Sequence, residues 1–212
     1  MGRRSRTTED TGTARRILAA AEAHFAAQGL AGARTEEIAA AAHANKAMLY
    51  YYFKNKRGLH RAVLENLFRQ LRSRVLAAKR AKLSPREQFF GYVTGYFDFL
   101  ATHPNYPRLV QREAMEASLK FDWMVREHFR PLQRLLAGAI EKGIAVREFR
   151  HMDADQIAFI TLGMATSYFA AAPIMSRVLG RDLLAPEAVE ARKQALLDFL
   201  RHGMARKEGD SR

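Results

Sequence analysis

Apolar residues recur every three or four positions along most of this chain, which is the spacing of an amphipathic α-helix. The first stripe, with Ile17, Ala21 and Phe25, predicts a helix over residues 14–28. Gly29 follows that stretch and supplies a stop. The sequence shows no sustained strand-like alternation of apolar and polar residues. The pattern therefore predicts an all-α protein.

Capping signals mark where further helices begin. Thr35 is placed to cap a short helix over residues 38–42, and Asn45 to cap a second short helix over residues 46–53. Asn55 is placed to cap a long helix that reaches residue 81. Ser84 opens the capping-box pattern Ser-Pro-Arg-Glu, with Pro at the first helical position.

Later breaks divide the rest of the chain into helices. Asp153 and Gln156 repeat the capping-box pattern, and the breaking signals are His103-Pro104, Tyr106-Pro107, Lys142-Gly143, Gly180 and Ala185-Pro186. The predicted organisation is a flexible basic arm over 1–12, a three-helix domain over 13–58, a larger helical domain over 59–206 and a frayed tail over 207–212.

Composition narrows the class of protein. Of 212 residues, 48% are hydrophobic and 27% charged, which is typical of a soluble globular chain. The absence of Cys excludes disulfides, thiolate nucleophiles and Cys-based zinc sites, and it fits a reducing cytoplasm. The formal charge of +13 favours a polyanionic partner, nucleic acid before anionic lipid, although a basic solvated surface is the alternative.

One uncharged stretch, residues 157–176, has about the length of a bilayer span. Its Thr161, Thr166 and Pro173 suit lipid poorly, and small residues stand where leucines would be expected. We therefore expect a buried helix of a bundle or a dimer, and no membrane partner.

Residues 34–57 carry the strongest functional signal. A short helix, a turn at residues 42–44 and a second short helix fit a helix-turn-helix, whose second helix would lie in the major groove of double-stranded DNA. Small, polar and aromatic residues on that helix suit base and phosphate contacts, although Tyr50 fits the domain core equally well. The candidate DNA contacts are Thr35, Asn45, Lys46, Ala47, Met48, Tyr50, Tyr51, Tyr52 and Lys56.

The same stretch resembles the helix-turn-helix signature of the tetracycline-repressor-like (TetR/AcrR) transcriptional regulators. The matching residues are Thr35, Ile38, Ala39, Ala42, Leu49, Tyr50, Tyr52, Phe53 and Lys56, and the specific likeness covers residues 13–65. His43 stands where the family usually has Gly at positive φ, a region in which His is one of the few enriched side chains. Met48 departs from the pattern as well and favours apolar contact with a thymine methyl.

The resemblance implies a ligand pocket in the C-terminal domain, with an inducer that releases the protein from its operator. Large adaptable side chains suit a largely apolar ligand, although ordinary core packing is the usual role of such residues. The candidate pocket residues are Tyr96, Phe97, Met115, Trp123, Met124, Met164 and Tyr168.

The resemblance also implies a homodimer that binds an inverted-repeat operator through a bundle of the last two helices of each subunit. Gly163, Ser167 and Ala171 recur at intervals of four and let helices approach closely. The final helix has its own apolar stripe of Val189, Leu196, Leu197 and Leu200, for which intrachain packing is the alternative.

Enzymatic motifs are missing from the sequence. It has no His-Glu-x-x-His pair, no Gly-rich phosphate loop and no Gly-x-Ser-x-Gly elbow. We therefore expect no catalytic residues, no metal and no cofactor. The expected function is a cytoplasmic, ligand-responsive DNA-binding regulator, most simply a repressor. The alternatives are a non-specific DNA-coating protein and a helical enzyme or carrier that uses the C-terminal cavity.

Overall fold

The computed structural model describes residues 3–78, 83–115 and 119–206, and in these residues the regular elements are all helical. They are α1 (Arg3–Gly32), α2 (Thr35–Ala41), α3 (Lys46–Phe53), α4 (Lys56–Leu76), α5 (Pro85–Thr102), α6 (Tyr106–Met115), α7 (Leu119–Met124), a π-helical segment (Val125–Phe129), α8 (Arg130–Ala145), α9 (Ala154–Leu179) and α10 (Pro186–Met204). The predicted all-α fold class is confirmed.

The chain forms two compact units. Unit 1 comprises Met1–Arg69 with Arg108–Met115, and unit 2 comprises Gln70–Pro107 with Glu116–Arg212. The sequence predicts a domain boundary after residue 58, whereas the first segment of unit 1 ends at Arg69. Unit 1 also takes in most of α6, which local sequence signals do not indicate.

Unit 1 is built around α1, α2 and α3, which bury the apolar stripes that the sequence predicts. Ile17, Phe25, Ile38, Leu49 and Leu59 are fully buried at its centre. The burial of these side chains from four helices supplies most of the favourable free energy that holds such short helices in place.

Polar contacts tie α1 and α6 to the rest of unit 1. The Arg16 guanidinium donates a hydrogen bond to the carbonyl of Ala42 over 3.1 Å. On α6, Arg112 donates to the carbonyl of Ala27, and the buried Glu113 carboxylate lies 3.3 Å from Nε2 of the buried His60 ring. These long-range contacts explain why unit 1 includes a segment of α6.

Unit 2 is organised around α5, α8, α9 and α10. Phe89, Phe97, Phe99 and Leu100 of α5 are completely buried. Gly143 of α8 allows one close contact, because a Cβ built there would lie 2.3 Å from Cδ2 of the Phe149 ring.

Several predicted helix starts are confirmed. The Asn45 side chain accepts a hydrogen bond from the amide of Met48, and the Asp153 side chain accepts one from the amide of Gln156. Ser84 and Glu87 form both halves of the capping box. Gly180 ends α9 in the left-handed conformation.

Other boundaries were predicted wrongly. Helix α1 begins at Arg3, because no Pro or Gly interrupts residues 3–11, so these residues are helical rather than a separate arm. Gly29 is not among these errors, because it leaves the helical conformation at φ 72° and ψ 177° and divides α1 into two helical pieces, which confirms the predicted stop. Thr35 is the first residue of α2 and Arg34 its N-cap. Helix α8 continues past Lys142-Gly143 to Ala145. The predicted tail, 207–212, lies outside the described residues.

Candidate nucleic-acid interface

Helices α2 and α3 are joined by a tight turn at residues 42–45. His43 adopts φ 50°, in the left-handed region expected for this position. The amide of His43 donates to the carbonyl of Ala40, and the amide of Ala44 donates to the carbonyl of Ala39. These bonds satisfy the end of α2 and close a helix-turn-helix.

Helix α3 has one buried face and one exposed face. Leu49 is fully buried and anchors the helix, while Asn45 caps its start. On the other side Lys46 and Ala47 are exposed, and the Tyr51 side chain is 77% exposed. An exposed large aromatic adds little to folding, so its position on this face favours a role in binding.

A ring of polar contacts joins the start of α2 to the start of α3. The Lys46 ammonium donates a hydrogen bond to Oε1 of Glu36. The Thr35 hydroxyl donates to Oε2 of the same carboxylate over 3.3 Å and lies 3.4 Å from the Tyr50 hydroxyl. The Lys46 ammonium also lies 5.8 Å from the centre of the Tyr50 aromatic ring, and this contact completes the circle of four residues.

These contacts shift the pKa values of Glu36 and Lys46, the two charged residues among the four. The hydrogen bond from Lys46 lowers the pKa of Glu36 to about 2, and the carboxylate in turn raises the pKa of Lys46. Both groups are therefore charged throughout the physiological pH range. Glu36 lies in the first turn of α2, ten residues before Lys46, and no local sequence signal indicates that the two side chains are in contact.

The remaining predicted DNA contacts are divided between surface and structure. Met48 and Tyr52 are half-buried, and Tyr50 is only just exposed. Thr35 is buried, and the Lys56 ammonium donates a hydrogen bond to the carbonyl of Ala31 over 2.9 Å. The structure thus brings all nine residues to α2, α3 and the start of α4, but several of them already have structural partners.

A second group of predicted residues lies in unit 2. The Tyr96 hydroxyl is buried and shares a hydrogen bond of 2.7 Å with the Thr166 hydroxyl, and burial raises the pKa of Tyr96 to about 12. The Phe97 ring lies 6.4 Å from the Tyr168 ring. Tyr96 and Phe97 of α5 are thus buried side chains with partners on α9.

The other predicted pocket residues have different surroundings. Met124 is fully buried, Met164 is half-buried, and the Trp123 ring contacts the His128 ring at 4.9 Å. Met115 is 85% exposed and belongs to unit 1.

The predicted dimer residues also separate into two sets. Gly163 and Ser167 are exposed on α9, and Ala171 is half-buried. The stripe of α10 lies mainly in the core of unit 2, where Leu196, Leu197 and Leu200 are buried and Val189 is half-buried.

Apolar side chains that the sequence prediction did not select are exposed on the same two helices. They are Phe159, Ile160, Ile174, Met175, Val178 and Leu179 of α9 and Phe199 of α10. Helix α9 is long and apolar enough to cross a membrane by length and composition, a test that core helices of soluble proteins also pass. Among the described residues, no three His, Asp or Glu side chains lie close enough together to hold a metal ion.

Comparisons with known proteins cover both units. The family model described as "Bacterial regulatory proteins, tetR family" matches residues 17–63, and "Tetracyclin repressor-like, C-terminal domain" matches residues 85–200. The HTH-type transcriptional repressor SCO4008 of Streptomyces coelicolor is 32% identical over 170 residues, which cover 79% of this chain and 83% of that protein.

Two further relatives extend the comparison. The HTH-type transcriptional repressor NicS of Pseudomonas putida is 28% identical over 103 residues, 49% of each protein. The ketosteroid transcriptional regulator KstR2 of Mycobacterium tuberculosis has a similar structure, with a TM-score of 0.75 and 20% identity over 91% of this chain and 96% of that chain. The last similarity shows a shared fold.

Proposed function

The chain belongs to the TetR family of bacterial transcriptional regulators, and on this premise we propose that it is a dimeric repressor that binds an inverted-repeat operator through α3. The observation that carries the proposal is the exposed face of α3, with Lys46, Ala47 and Tyr51 beside a buried Leu49 anchor. A small residue at the centre lets the helix approach the floor of the major groove. Lysine and tyrosine side chains beside it can then reach base edges and phosphates.

The other predicted contacts have supporting roles in this proposal. Asn45 and Thr35 fix the start of α3 and its distance from α2, while Met48 and Tyr50 border the exposed face. Tyr52 and Lys56 lie toward the end of α3 and the start of α4, where phosphate contacts set the register of a recognition helix. For Lys56, such a contact requires exchange of its bond to the Ala31 carbonyl.

Dimerisation is supported by the exposed apolar face of α9. Phe159, Ile174 and Val178 lie on the same side as the small residues Gly163 and Ser167. Exposure of such a face to water is unfavourable, and its burial against a second copy of the chain stabilises the dimer. Two copies place two recognition helices on half-sites about 34–36 Å apart.

Regulation by a largely apolar small molecule is the second part of the proposal. The support is the aromatic group of unit 2, in which Tyr96, Phe97 and Tyr168 combine apolar area with hydroxyl groups. A ligand releases the operator only if it binds the DNA-incompetent state more tightly than the DNA-bound state. A repressor of this kind acts in the cytoplasm, where its operator lies.

Selection of binding sites from random duplex DNA by the purified protein, near physiological salt, tests the proposal. An enriched inverted repeat is expected, with affinity about 10³–10⁷ times that for unrelated duplex. Binding to all duplexes alike with steep salt dependence would instead indicate a DNA-coating protein. A folded dimer that binds no DNA, even after refolding to remove carried ligand, would favour a carrier or enzyme.

A further inference from the structure

An acidic side chain lies on the face that the proposed function assigns to DNA. The Glu36 side chain is 62% exposed, and Lys46, the first residue of the proposed recognition helix, is 49% exposed. Both oxygens of the carboxylate are engaged, one by Lys46 and one by the Thr35 hydroxyl. A carboxylate at this place repels phosphate, so its presence needs an explanation other than DNA affinity.

We propose that Glu36 is a specificity-determining residue that acts through Lys46, by withholding the Lys46 ammonium from sequence-independent phosphate contacts and holding it for a base edge. Glu36 is thus a positioning residue. The inference rests on the proposed function of α3 and adds a means of discrimination to it.

Non-specific binding to duplex DNA is mainly electrostatic. Attraction between lysines and phosphates supplies essentially all of the affinity for unrelated duplex and carries no sequence information. An ammonium that is paired with a carboxylate adds little to this attraction. For a phosphate to capture Lys46, it must displace Glu36 and approach an exposed negative charge. The ion pair therefore weakens non-specific binding.

Specific binding is affected less. Glu36 and the Tyr50 ring hold the Lys46 ammonium at the start of α3, the end of a recognition helix that contacts base edges. A lysine side chain loses rotamer freedom when it makes a contact, and a side chain that is already held loses less of it. A base acceptor such as guanine O6 carries no full charge and can bond the ammonium while Glu36 remains its partner.

Glu37 provides a matched control on the next position of α2. Its carboxylate lies 3.9 Å from His24 and 4.0 Å from Arg34, and Lys46 is not among these partners. Glu36→Gln and Glu37→Gln change the net charge by the same amount and conserve side-chain size. Any difference between them reports the pairing with Lys46 rather than the total charge.

The experiment measures the dissociation constant of full-length protein for the selected operator and for a scrambled duplex of equal length, at several salt concentrations. Wild type, Glu36→Gln, Glu37→Gln, Lys46→Gln and the double variant of Glu36 and Lys46 are compared. We expect Glu36→Gln to bind the scrambled duplex about fivefold more tightly than Glu37→Gln at about 0.15 M salt, because one more phosphate is contacted. Its salt slope should steepen by about one.

The operator complex should gain less, so the ratio of operator to scrambled affinity should fall for Glu36→Gln. In the Lys46→Gln background, replacing Glu36 should have no more effect than replacing Glu37. Thermal unfolding of each variant verifies that the fold is intact, and Glu36→Ala provides a second test of the same contact.

Three results would overturn the inference. One is equal behaviour of Glu36→Gln and Glu37→Gln. Another is an effect of Glu36→Gln that persists without Lys46, and the third is parallel loss of affinity for both duplexes. Failure of the proposed function appears separately, because the wild-type protein would then not distinguish the operator from the scrambled duplex.

Discussion

Aromatic side chains have opposite surroundings in the two units: Tyr51 on the exposed face of α3 in unit 1 faces solvent, whereas Phe97 in the aromatic group of unit 2 is buried. On α3 the Tyr51 side chain is 77% exposed, whereas Phe97 of α5 is fully buried. Folding does not require an exposed tyrosine, so the position of Tyr51 is itself evidence of a binding role. A buried phenylalanine is explained by stability alone, and its position indicates no further role.

Substitutions should therefore separate stability from DNA binding, and the largest effect on stability is expected in unit 2. Phe97→Ala removes a fully buried ring that contacts the Phe169 ring at 5.2 Å. We expect the free energy of unfolding to fall by about 3–5 kcal/mol, because the side chain leaves a cavity. Urea denaturation measures the loss. A loss below about 1 kcal/mol would mean that the site can collapse or is already open to solvent.

The next effect tests the close packing of unit 2 with two glycines of the same helix. At Gly143 an added Cβ would lie 2.3 Å from the Phe149 ring, while at Gly138 it would meet nothing within 4 Å. Gly143→Ala should lower the free energy of unfolding by about 1–3 kcal/mol through overpacking. Gly138→Ala should raise it by about 0.5–1 kcal/mol through helix propensity. Equal effects in urea denaturation would contradict the packing argument.

On the exposed face of α3, a substitution should affect DNA binding more than the free energy of unfolding. Tyr51→Ala should change the free energy of unfolding by less than about 0.5 kcal/mol, because the side chain is exposed. It should weaken operator binding about tenfold, or about 1.4 kcal/mol, a typical loss for one good contact to DNA. Fluorescence anisotropy with labelled operator measures this, and Tyr51→Phe isolates the share of the hydroxyl. A stability loss equal to the binding loss would assign Tyr51 to the fold.

The same contrast explains what could be predicted from the sequence. Caps and helix periods depend on residues three or four apart, so Asn45, Ser84 and Asp153 were predicted as the starts of α3, α5 and α9. The surface of α3 follows from the same local pattern. The helical period places Ala47 and Tyr51 opposite the buried Leu49, and both are exposed.

Interactions between distant residues were not predicted. Lys46 reaches Glu36 across the turn, and Arg112 reaches the carbonyl of Ala27 from α6, far along the chain. Whether an apolar stripe faces the core or solvent is likewise a tertiary property. Leu196 and Leu197 of α10 are buried in unit 2, while Phe199 between Leu197 and Leu200 is exposed.

The smallest expected effect concerns the turn between α2 and α3. His43 is exposed and adopts φ 50°, a conformation that costs an L-residue about 1–2 kcal/mol. Glycine avoids this cost but loses about 0.5–1 kcal/mol more backbone entropy on folding. His43→Gly should therefore raise the free energy of unfolding by about 0.5 kcal/mol, whereas Ala44→Gly, at the next position, should lower it. Urea denaturation of both variants measures the difference, and stabilisation by Ala44→Gly rather than His43→Gly would show that the strain lies elsewhere in the turn.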